Sequence, residues 1–213
     1  MKKLISVLLV MVVCFGVAAG FAGCSFDLSG NVAFESAELE SKIIELGIGK
    51  GYKTGIDQNK DGKLSKKELL ALTALEIPHT GSSFSSLKGL EYAKNLTILD
   101  VAGGSVSDLS PLSELSSLKF LSITKNKISD VSPLSGLGSL NYLSLTTNQI
   151  ADISPLSNLL SLEILIIDHN QISDVTPLAK LTSLKLLVIE ANPIKDTSPL
   201  KKLPANCVVD IPV

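Results

Sequence analysis

The 213-residue chain contains no tryptophan and no arginine, and only 4% of its residues are aromatic. All 19 basic residues are therefore lysines, set against 21 acidic residues, and the net charge is −2. Proteins that bind nucleic acid usually have a basic excess and arginines that contact phosphates or bases, so this class of protein is disfavoured. An apolar fraction of 45% and a charged fraction of 19% are typical of a folded protein and exclude wholesale disorder. The length suits one domain or two small ones.

The N-terminus has the composition of a secretory signal peptide. Lys2 and Lys3 precede an uncharged, largely apolar run that extends from Leu4 to Ala22. Because this run is nearly long enough to span a bilayer, a retained membrane anchor is the alternative interpretation.

The end of this segment favours cleavage and lipidation. The sequence Phe21-Ala22-Gly23-Cys24 resembles the lipobox of bacterial lipoproteins, in which the cysteine is diacylated and becomes the mature N-terminus. The resemblance implies a signal peptide over residues 1–23 and a lipid anchor on Cys24, at the cell membrane or outer surface. Cleavage after Ala19 followed by secretion is the alternative, and a disulfide between Cys24 and Cys207 then becomes feasible.

A repeat with a period of 22 residues occupies the C-terminal half of the chain. No insertion interrupts it. Its invariant positions are Asp108, Asp130, Asp152, Asp174 and Asp196; Pro111, Pro133, Pro155, Pro177 and Pro199; and Asn126, Asn148, Asn170 and Asn192, with Gly104 in the first copy.

Each repeat predicts one short strand and one short helical turn. Leu121 and Ile123 alternate with outward-facing residues, which is the pattern of a strand with one buried face. Asn126 follows at a turn, where its amide can satisfy backbone groups of adjacent coils. Asp130 then precedes Ser-Pro133, which favours the start of a 3₁₀ or helical turn. Such a unit cannot bury its own apolar face, so stacked copies must share a continuous aliphatic core.

The repeat L-x-x-L-x-[LIV]-x-x-N-x-I-x-D-[LIV]-[ST]-P-L-x-x-L resembles the internalin-type bacterial leucine-rich repeat. This implies an α/β solenoid: a right-handed coil with a parallel concave β-sheet, a convex side of short 3₁₀ or helical turns and a helical N-terminal cap. Members of that family are mostly surface or secreted proteins that bind other macromolecules through the concave sheet. The expected divisions are a signal peptide (1–23), a tether (24–33), the N-terminal cap (34–86), the repeats (87–200) and a C-terminal cap (201–213).

The predicted N-terminal cap contains a calcium-loop motif. Residues 57–68 resemble the EF-hand loop, with Gly62 at the position of the sharp bend and Lys63 contributing only its carbonyl oxygen. The predicted ligands are Asp57, Asn59, Asp61, Lys63, Ser65 and Glu68. The alternative is purely structural, since Ser65 and Glu68 alone would form a capping box for a helix over residues 65–74.

The chain upstream of this loop does not favour a complete EF-hand. An amphipathic helix is predicted from Phe34 to Ile48, but four glycines between residues 47 and 55 disfavour a helix entering the loop. We therefore expect a half-hand or dockerin-like loop that binds a structural calcium ion weakly.

The outward-facing strand positions predict the ligand-binding face. One apolar column consists of Ile98, Phe120, Tyr142, Ile164 and Leu186, continued by Val208, and the neighbouring columns add Ile166, Val188, Asp168 and Glu190. A solvent-facing apolar column usually marks a contact surface. The alternative is that Phe120 and Tyr142 merely stack on each other along the sheet.

Catalysis is not expected. Asp168, His169 and Glu190 suggest a metal or acid–base site, but the chain has only two histidines, and an open sheet lacks an enclosed pocket. The favoured function is a lipid-anchored, monomeric binding module for a protein or other macromolecule at the cell surface. An envelope-structural lipoprotein without a dedicated ligand, or a hydrolase, are the alternatives.

Overall fold

The computed structural model describes residues 30–49, 55–77 and 84–211. The described residues form one eight-stranded sheet whose strands are neighbours in chain order. The strands are β1 (Ile48–Gly49), β2 (Leu72–Ile77), β3 (Ile98–Ala102), β4 (Phe120–Thr124), β5 (Tyr142–Ser144), β6 (Ile164–Ile166), β7 (Leu186–Val188) and β8 (Val208–Asp210). Strands β2 to β8 are parallel, as the repeat predicts, whereas β1 pairs antiparallel with β2 and covers that edge of the sheet.

The opposite side of each coil consists of a short 3₁₀ turn. These turns are Leu90–Tyr92, Ser110–Leu112, Ser132–Leu134, Ser154–Asn158, Thr176–Lys180 and Ser198–Lys202. The backbone N–H of Ser132 donates to Asp130 Oδ1 at 2.8 Å, its hydroxyl donates to Oδ2 at 2.9 Å, and Pro133 follows in the first turn. These hydrogen bonds from Ser132 lower the pKa of Asp130. The same backbone bond recurs at Asp108, Asp152, Asp174 and Asp196.

The repeated asparagines connect successive coils. Asn170 accepts the N–H of Ile150 through Oδ1 at 3.1 Å, and its Nδ2 donates to the carbonyl oxygens of Leu145 at 3.0 Å and Ile167 at 3.1 Å. The equivalent bond from the preceding coil is accepted by Asn126, Asn148 and Asn192. The predicted role of these amides is therefore confirmed: they pair backbone groups that the stacking of coils removes from water.

The core is almost entirely aliphatic. Every buried apolar side chain between Leu96 and Ile189 is Leu, Ile or Val. Among the described residues, Phe84 is the only aromatic side chain that is fully buried, and it lies where the cap meets the first regular coil. Branched aliphatic side chains from successive coils fill the narrow space inside the solenoid, and protein interiors are close-packed. Little room is left there for aromatic rings, which explains why aromatic residues are scarce.

The N-terminal cap differs in its boundaries from the prediction. Helix α1 spans Ala37–Leu46 rather than 34–48, because Ser36 caps it by accepting the N–H of Leu39 at 3.1 Å. Helix α2 spans Lys66–Ala71 rather than 65–74. The chain leaves α2 at Leu72 because pairing with β3 and burial of alternate side chains in the sheet outweigh continuation of a six-residue helix.

The last residues of the predicted tether are docked on the cap. The N–H of Val32 donates to the carbonyl oxygen of Leu64 at 2.8 Å, and Asn31 forms an antiparallel bridge with Ser65. The side chain of Val32 is buried. The folded unit therefore begins before residue 34.

The predicted signal peptide, Cys24 and most of the tether lie outside the described residues. Within residues 30–49, 55–77 and 84–211, no helix has the length and apolar character needed to cross a membrane. The described part of the C-terminal cap closes the stack with β8, and Cys207 packs partly buried against the hydrophobic core.

Replacing Asn170 tests the role of these asparagines in stability. The substitution Asn170→Leu leaves the N–H of Ile150 without a partner inside the stack. The carbonyls of Leu145 and Ile167 each lose one amide donor but keep those of Asn148 and Asn192. One buried group left unpaired costs about 1–3 kcal/mol, so the free energy of unfolding should fall by about that amount. Urea unfolding measures the change. The exposed neighbour Gln171 supplies the control, because Gln171→Ala should change stability by no more than about 0.5 kcal/mol; equal losses in both variants would contradict this role.

Candidate ligand-binding face and calcium loop

The predicted apolar column is in register across the sheet. Ile98, Phe120, Tyr142, Ile164, Leu186 and Val208 are successive partners in the pairs from β3 to β8. The first five side chains are partly exposed and Val208 is 63% exposed, whereas their strand neighbours such as Leu121 and Leu143 point into the core. We call these six residues the apolar stripe.

Phe120 and Tyr142 lie in the middle of the apolar stripe and stack on each other. Their ring centroids are 4.2 Å apart and their planes differ by 7°. Burial and the charge of Asp100 raise the pKa of Tyr142, while a hydrogen bond with Ser144 opposes the shift, so the phenol remains a neutral hydrogen-bond donor at physiological pH. The predicted stacking is present, and it leaves a partly exposed aromatic surface that a ligand can cover.

Two further columns of outward-facing positions lie beside the apolar stripe. The second contains Ser122, Ser144, Ile166 and Val188, and the third contains Thr146, Asp168 and Glu190. The side chains in both columns change in polarity along the length of the sheet. Beside the apolar stripe, Ser122 and Ser144 give the middle of the face a small, polar floor, and Ile166 and Val188 extend the apolar surface in the later coils. In the third column the hydroxyl of Thr146 donates to Asp168 Oδ1 at 2.7 Å. Asp168 Oδ2 lies 2.8 Å from Nδ1 of His169. The predicted site residues Asp168 and Glu190 thus stand together on adjacent coils.

The dimensions of the face limit what it can bind. Seven parallel strands at a spacing of about 4.8 Å make a sheet about 29 Å long, and β3 to β8, which have three to five residues each, make it about 10–16 Å wide. The concave face therefore offers roughly 300–450 Å², which is below the roughly 800 Å² per partner of a standard interface.

The calcium-loop residues adopt a tight, hydrogen-bonded conformation. Asp57 accepts the N–H of Lys60 at 2.8 Å and of Gly62 at 3.0 Å, and Asp61 accepts the N–H of Lys63 at 2.8 Å. Gly62 has a φ of +75°, a conformation that glycine adopts readily. The loop therefore bends where the motif predicts, with the side chains of Asp57, Asn59 and Asp61 on one short segment.

Glu68 ties the end of the loop to its beginning. One carboxylate oxygen accepts the N–H of Gln58 at 2.9 Å, and the other accepts both the N–H of Ser65 at 2.9 Å and its hydroxyl at 2.7 Å. Burial alone would raise the pKa of Glu68, but these hydrogen bonds together lower it. The capping box of the structural alternative is present, since Ser65 also accepts the N–H of Glu68. The capping box therefore coexists with the full loop conformation.

Two contacts of this loop come from residues that the sequence motif did not single out. Glu40 of α1 is buried and accepts the N–H of Leu64 at 3.2 Å, and it pairs with Lys63 Nζ at 3.4 Å. The bridge between Asn31 and Ser65 holds the same segment from the other side. These partners are separated from the loop residues that they contact by more than 20 residues, so no local pattern identifies them.

The donor set of the loop fits a hard cation. Asp57, Asn59 and Asp61 offer carboxylate and amide oxygens, the class of ligand that calcium prefers. Asp57 is partly exposed, and Asn59 and Asp61 are exposed. Lys63 would contribute its carbonyl oxygen and Ser65 its hydroxyl. Glu68 closes the loop from α2 and is only 5% exposed. The hydrogen bonds that these side chains accept hold their oxygens in place.

The repeats match a known sequence family. The profile described as "Leucine Rich repeats (2 copies)" matches residues 116–158 and 160–202. No curated protein sequence matches the chain.

One solved structure with the same fold is a bacterial internalin. The crystal structure of the internalin InlF from Listeria monocytogenes is similar with a TM-score of 0.61 and 30% identity, over 84% of this chain and 55% of that chain. This chain thus spans about half the length of InlF. The internalin C2 from the same organism is 27% identical, over 70% of this chain and 85% of that one, with a TM-score of 0.42. The PEPR1–AtPEP1 structure is 22% identical, over 57% of this chain and 18% of that one, with a TM-score of 0.51.

The repeat profile, the sheet and the 3₁₀ turns together define a leucine-rich-repeat solenoid. In sequence and fold this solenoid resembles the internalin InlF. Solenoids of this class use an extended concave surface for binding, so the fold is that of a protein-interaction module.

Proposed function

We propose that this protein is a cell-surface binding module that holds a protein ligand on its concave face and is attached to the membrane by a lipid on Cys24. The apolar stripe carries the proposal. Six apolar side chains in register, from Ile98 to Val208, remain partly or largely exposed although the core beneath them is complete. A continuous apolar surface on a soluble domain usually marks a site of interaction.

The charges beside the apolar stripe indicate the chemistry of the ligand. None of the described side chains that point outward from strands β2 to β8 is a lysine. Acidic side chains on this face are Glu76, Asp100, Asp168, Glu190 and Asp210. A ligand segment that presents apolar side chains together with lysine or arginine would complement both the stripe and this charge.

The small area of the face predicts weak binding by the stripe alone. An area of roughly 300–450 Å² favours a short segment of the ligand, or further contacts at the rim and the cap. A lipid anchor would compensate, because many tethered copies on one membrane raise the effective concentration of binding sites.

Substitution of the stacked rings tests the proposed face. Phe120→Ala and Tyr142→Ala should each weaken the retention of surface-protein ligands by roughly 30-fold, as expected of central aromatic contacts that contribute about 2 kcal/mol. The measurement is binding of host and envelope protein fractions to the immobilised mature chain. Leu160→Ala is the matched control, because Leu160 is 54% exposed but lies outside the apolar stripe.

The outcomes of that experiment separate the candidate functions. Ligand retention that survives both ring substitutions, with circular dichroism unchanged, would remove the apolar stripe as the binding site. Retention of no ligand from any fraction would favour the envelope-structural alternative.

The lipid anchor has an independent test. Cells that express the full chain with a labelled fatty acid should incorporate the label into the protein, and Cys24→Ser should abolish it. Cys207→Ser, which leaves the proposed lipobox intact, should retain full labelling. An unlabelled wild-type protein in the culture medium would instead favour cleavage after Ala19 and secretion.

We further propose that the loop from Asp57 to Glu68 binds a structural calcium ion. Extracellular modules bind calcium with a Kd of about 10⁻⁴–10⁻³ M, so about 10 mM calcium should stabilise the fold by at least about 1.4 kcal/mol. For a chain of this size, that corresponds to a rise in Tm of about 3–6 °C relative to chelator. Glu68→Gln and Asp57→Asn should each remove the rise, and Asp57→Asn leaves the capping box of α2 intact. Glu114→Gln, at an exposed position in the repeats, is the control; an unchanged wild-type Tm would refute the assignment.

A further inference from the structure

A second cluster of metal-binding side chains lies at the margin of the concave face, far along the chain from the calcium loop. Asp168, His169 and Glu190 each offer a ligand atom, and these atoms all lie within 4.8 Å of one another. The backbone brings them together: the N–H of His169 donates to the carbonyl oxygen of Glu190 at 3.0 Å, so the two coils are in direct contact here.

The repeat columns show that this cluster is not a general feature of the coils. The column of Asp168 contains Ala102, Thr124, Thr146 and Glu190 at the other positions, and the column of His169 contains Gly103, Lys125, Thr147 and Ala191. Two adjacent carboxylates beside an imidazole therefore occur only between these two coils. The solenoid needs neither side chain type at these positions, since the other coils form without them.

Asp168 is held in one orientation before any ligand binds. Its side chain is only 8% exposed, and Thr146 donates a hydrogen bond of 2.7 Å to Oδ1. Oδ2 remains directed at the ring of His169, with 2.8 Å between Oδ2 and Nδ1. A hydroxyl that donates to a ligating carboxylate and fixes its orientation is a common arrangement in metal sites.

The environment of the Glu190 carboxylate is a second, independent argument for a bound cation. Within the described residues, its carboxylate makes no hydrogen bond or ion pair, although it lies close to the carboxylate of Asp168. Two formal negative charges at this separation repel each other, and no lysine side chain is paired with either of them in the described part of the chain. A divalent cation between them would neutralise both.

We propose that Asp168, His169 and Glu190 form a binding site for a divalent transition-metal ion of the zinc type. An imidazole nitrogen with two carboxylate oxygens is a ligand set suited to zinc, whereas calcium prefers oxygen ligands alone. Metal–ligand bonds of about 2.0–2.2 Å in a tetrahedral site place neighbouring ligand atoms about 3.3–3.6 Å apart. The metal would therefore replace the 2.8 Å contact between Asp168 Oδ2 and His169 Nδ1, and small side-chain rotations would bring the three ligand atoms to these distances. Three protein ligands leave a further position open for water or for a side chain of a bound ligand.

Titration of the purified chain with zinc tests this site directly. All three cysteines are first replaced by serine, because thiolates would bind zinc independently. Isothermal calorimetry should then detect one zinc ion per chain. His169→Ala and Glu190→Gln should each weaken zinc binding by at least about tenfold, since loss of even an outer partner of a metal ligand costs about 10–100-fold. Alanine is tolerated at position 169 because Ala191 occupies the equivalent position with nearly the same φ, 51° against 53°.

Three further variants make the result specific. Thr146→Val removes the hydroxyl that positions Asp168 and should weaken zinc binding by about 10–100-fold while all three ligands remain. His79→Ala removes the other histidine of the chain, and Glu163→Gln removes an exposed carboxylate on a neighbouring coil. Both control variants should bind zinc as the parent does. Absence of binding at millimolar zinc, or binding that is equally strong in His169→Ala and Glu190→Gln, would overturn the proposal.

Discussion

Every coil of this solenoid depends on the coils beside it, because a unit of one short strand and one 3₁₀ turn cannot cover its own apolar face. The asparagines make this dependence specific rather than merely hydrophobic. Asn170 pairs backbone groups of two successive coils, Leu145 and Ile150 on one side and Ile167 on its own. Stacking would be costly if these groups lost water without gaining partners, so the amide determines both the spacing and the register of the coils.

The binding face is a consequence of that register. Because parallel strands align residue for residue at a period of 22, each outward position of one strand falls next to the same position of the following strand. Apolar residues at the same position of six successive strands therefore form one apolar stripe, and Phe120 and Tyr142 form a stacked pair. The same geometry places Asp168 and Glu190 side by side. A solenoid thus converts the repeat period into surface chemistry with little freedom for the side chains to rearrange.

The cap solves a different problem, that of ending the stack and covering its first coil. Strand β1 covers the edge of β2, and the loop from Asp57 to Glu68 is held between Glu40 of α1, Asn31 and α2. The same elements share a buried apolar core, to which α1 contributes Leu39, the loop Leu64 and α2 Leu69. The loop therefore keeps its bent conformation without a helix entering it, although the upstream glycines disfavour a complete EF-hand.

The repeat, the aliphatic core, the role of the asparagines and the column of outward-facing apolar residues were all predictable from the sequence, because each depends on a strict local period. The turn at Gly62 and the capping box at Ser65 and Glu68 were predictable from short motifs. The end of α2 was not, since the chain leaves the helix at Leu72 to form β2, which pairs with β3 between segments more than 20 residues apart. The fold also shows that Asn31 and Val32 belong to the cap, that Glu40 supports the loop from Asp57 to Glu68 and that Thr146 fixes Asp168. Contacts of this kind depend on which segments the fold brings together, and no periodicity in the chain encodes them.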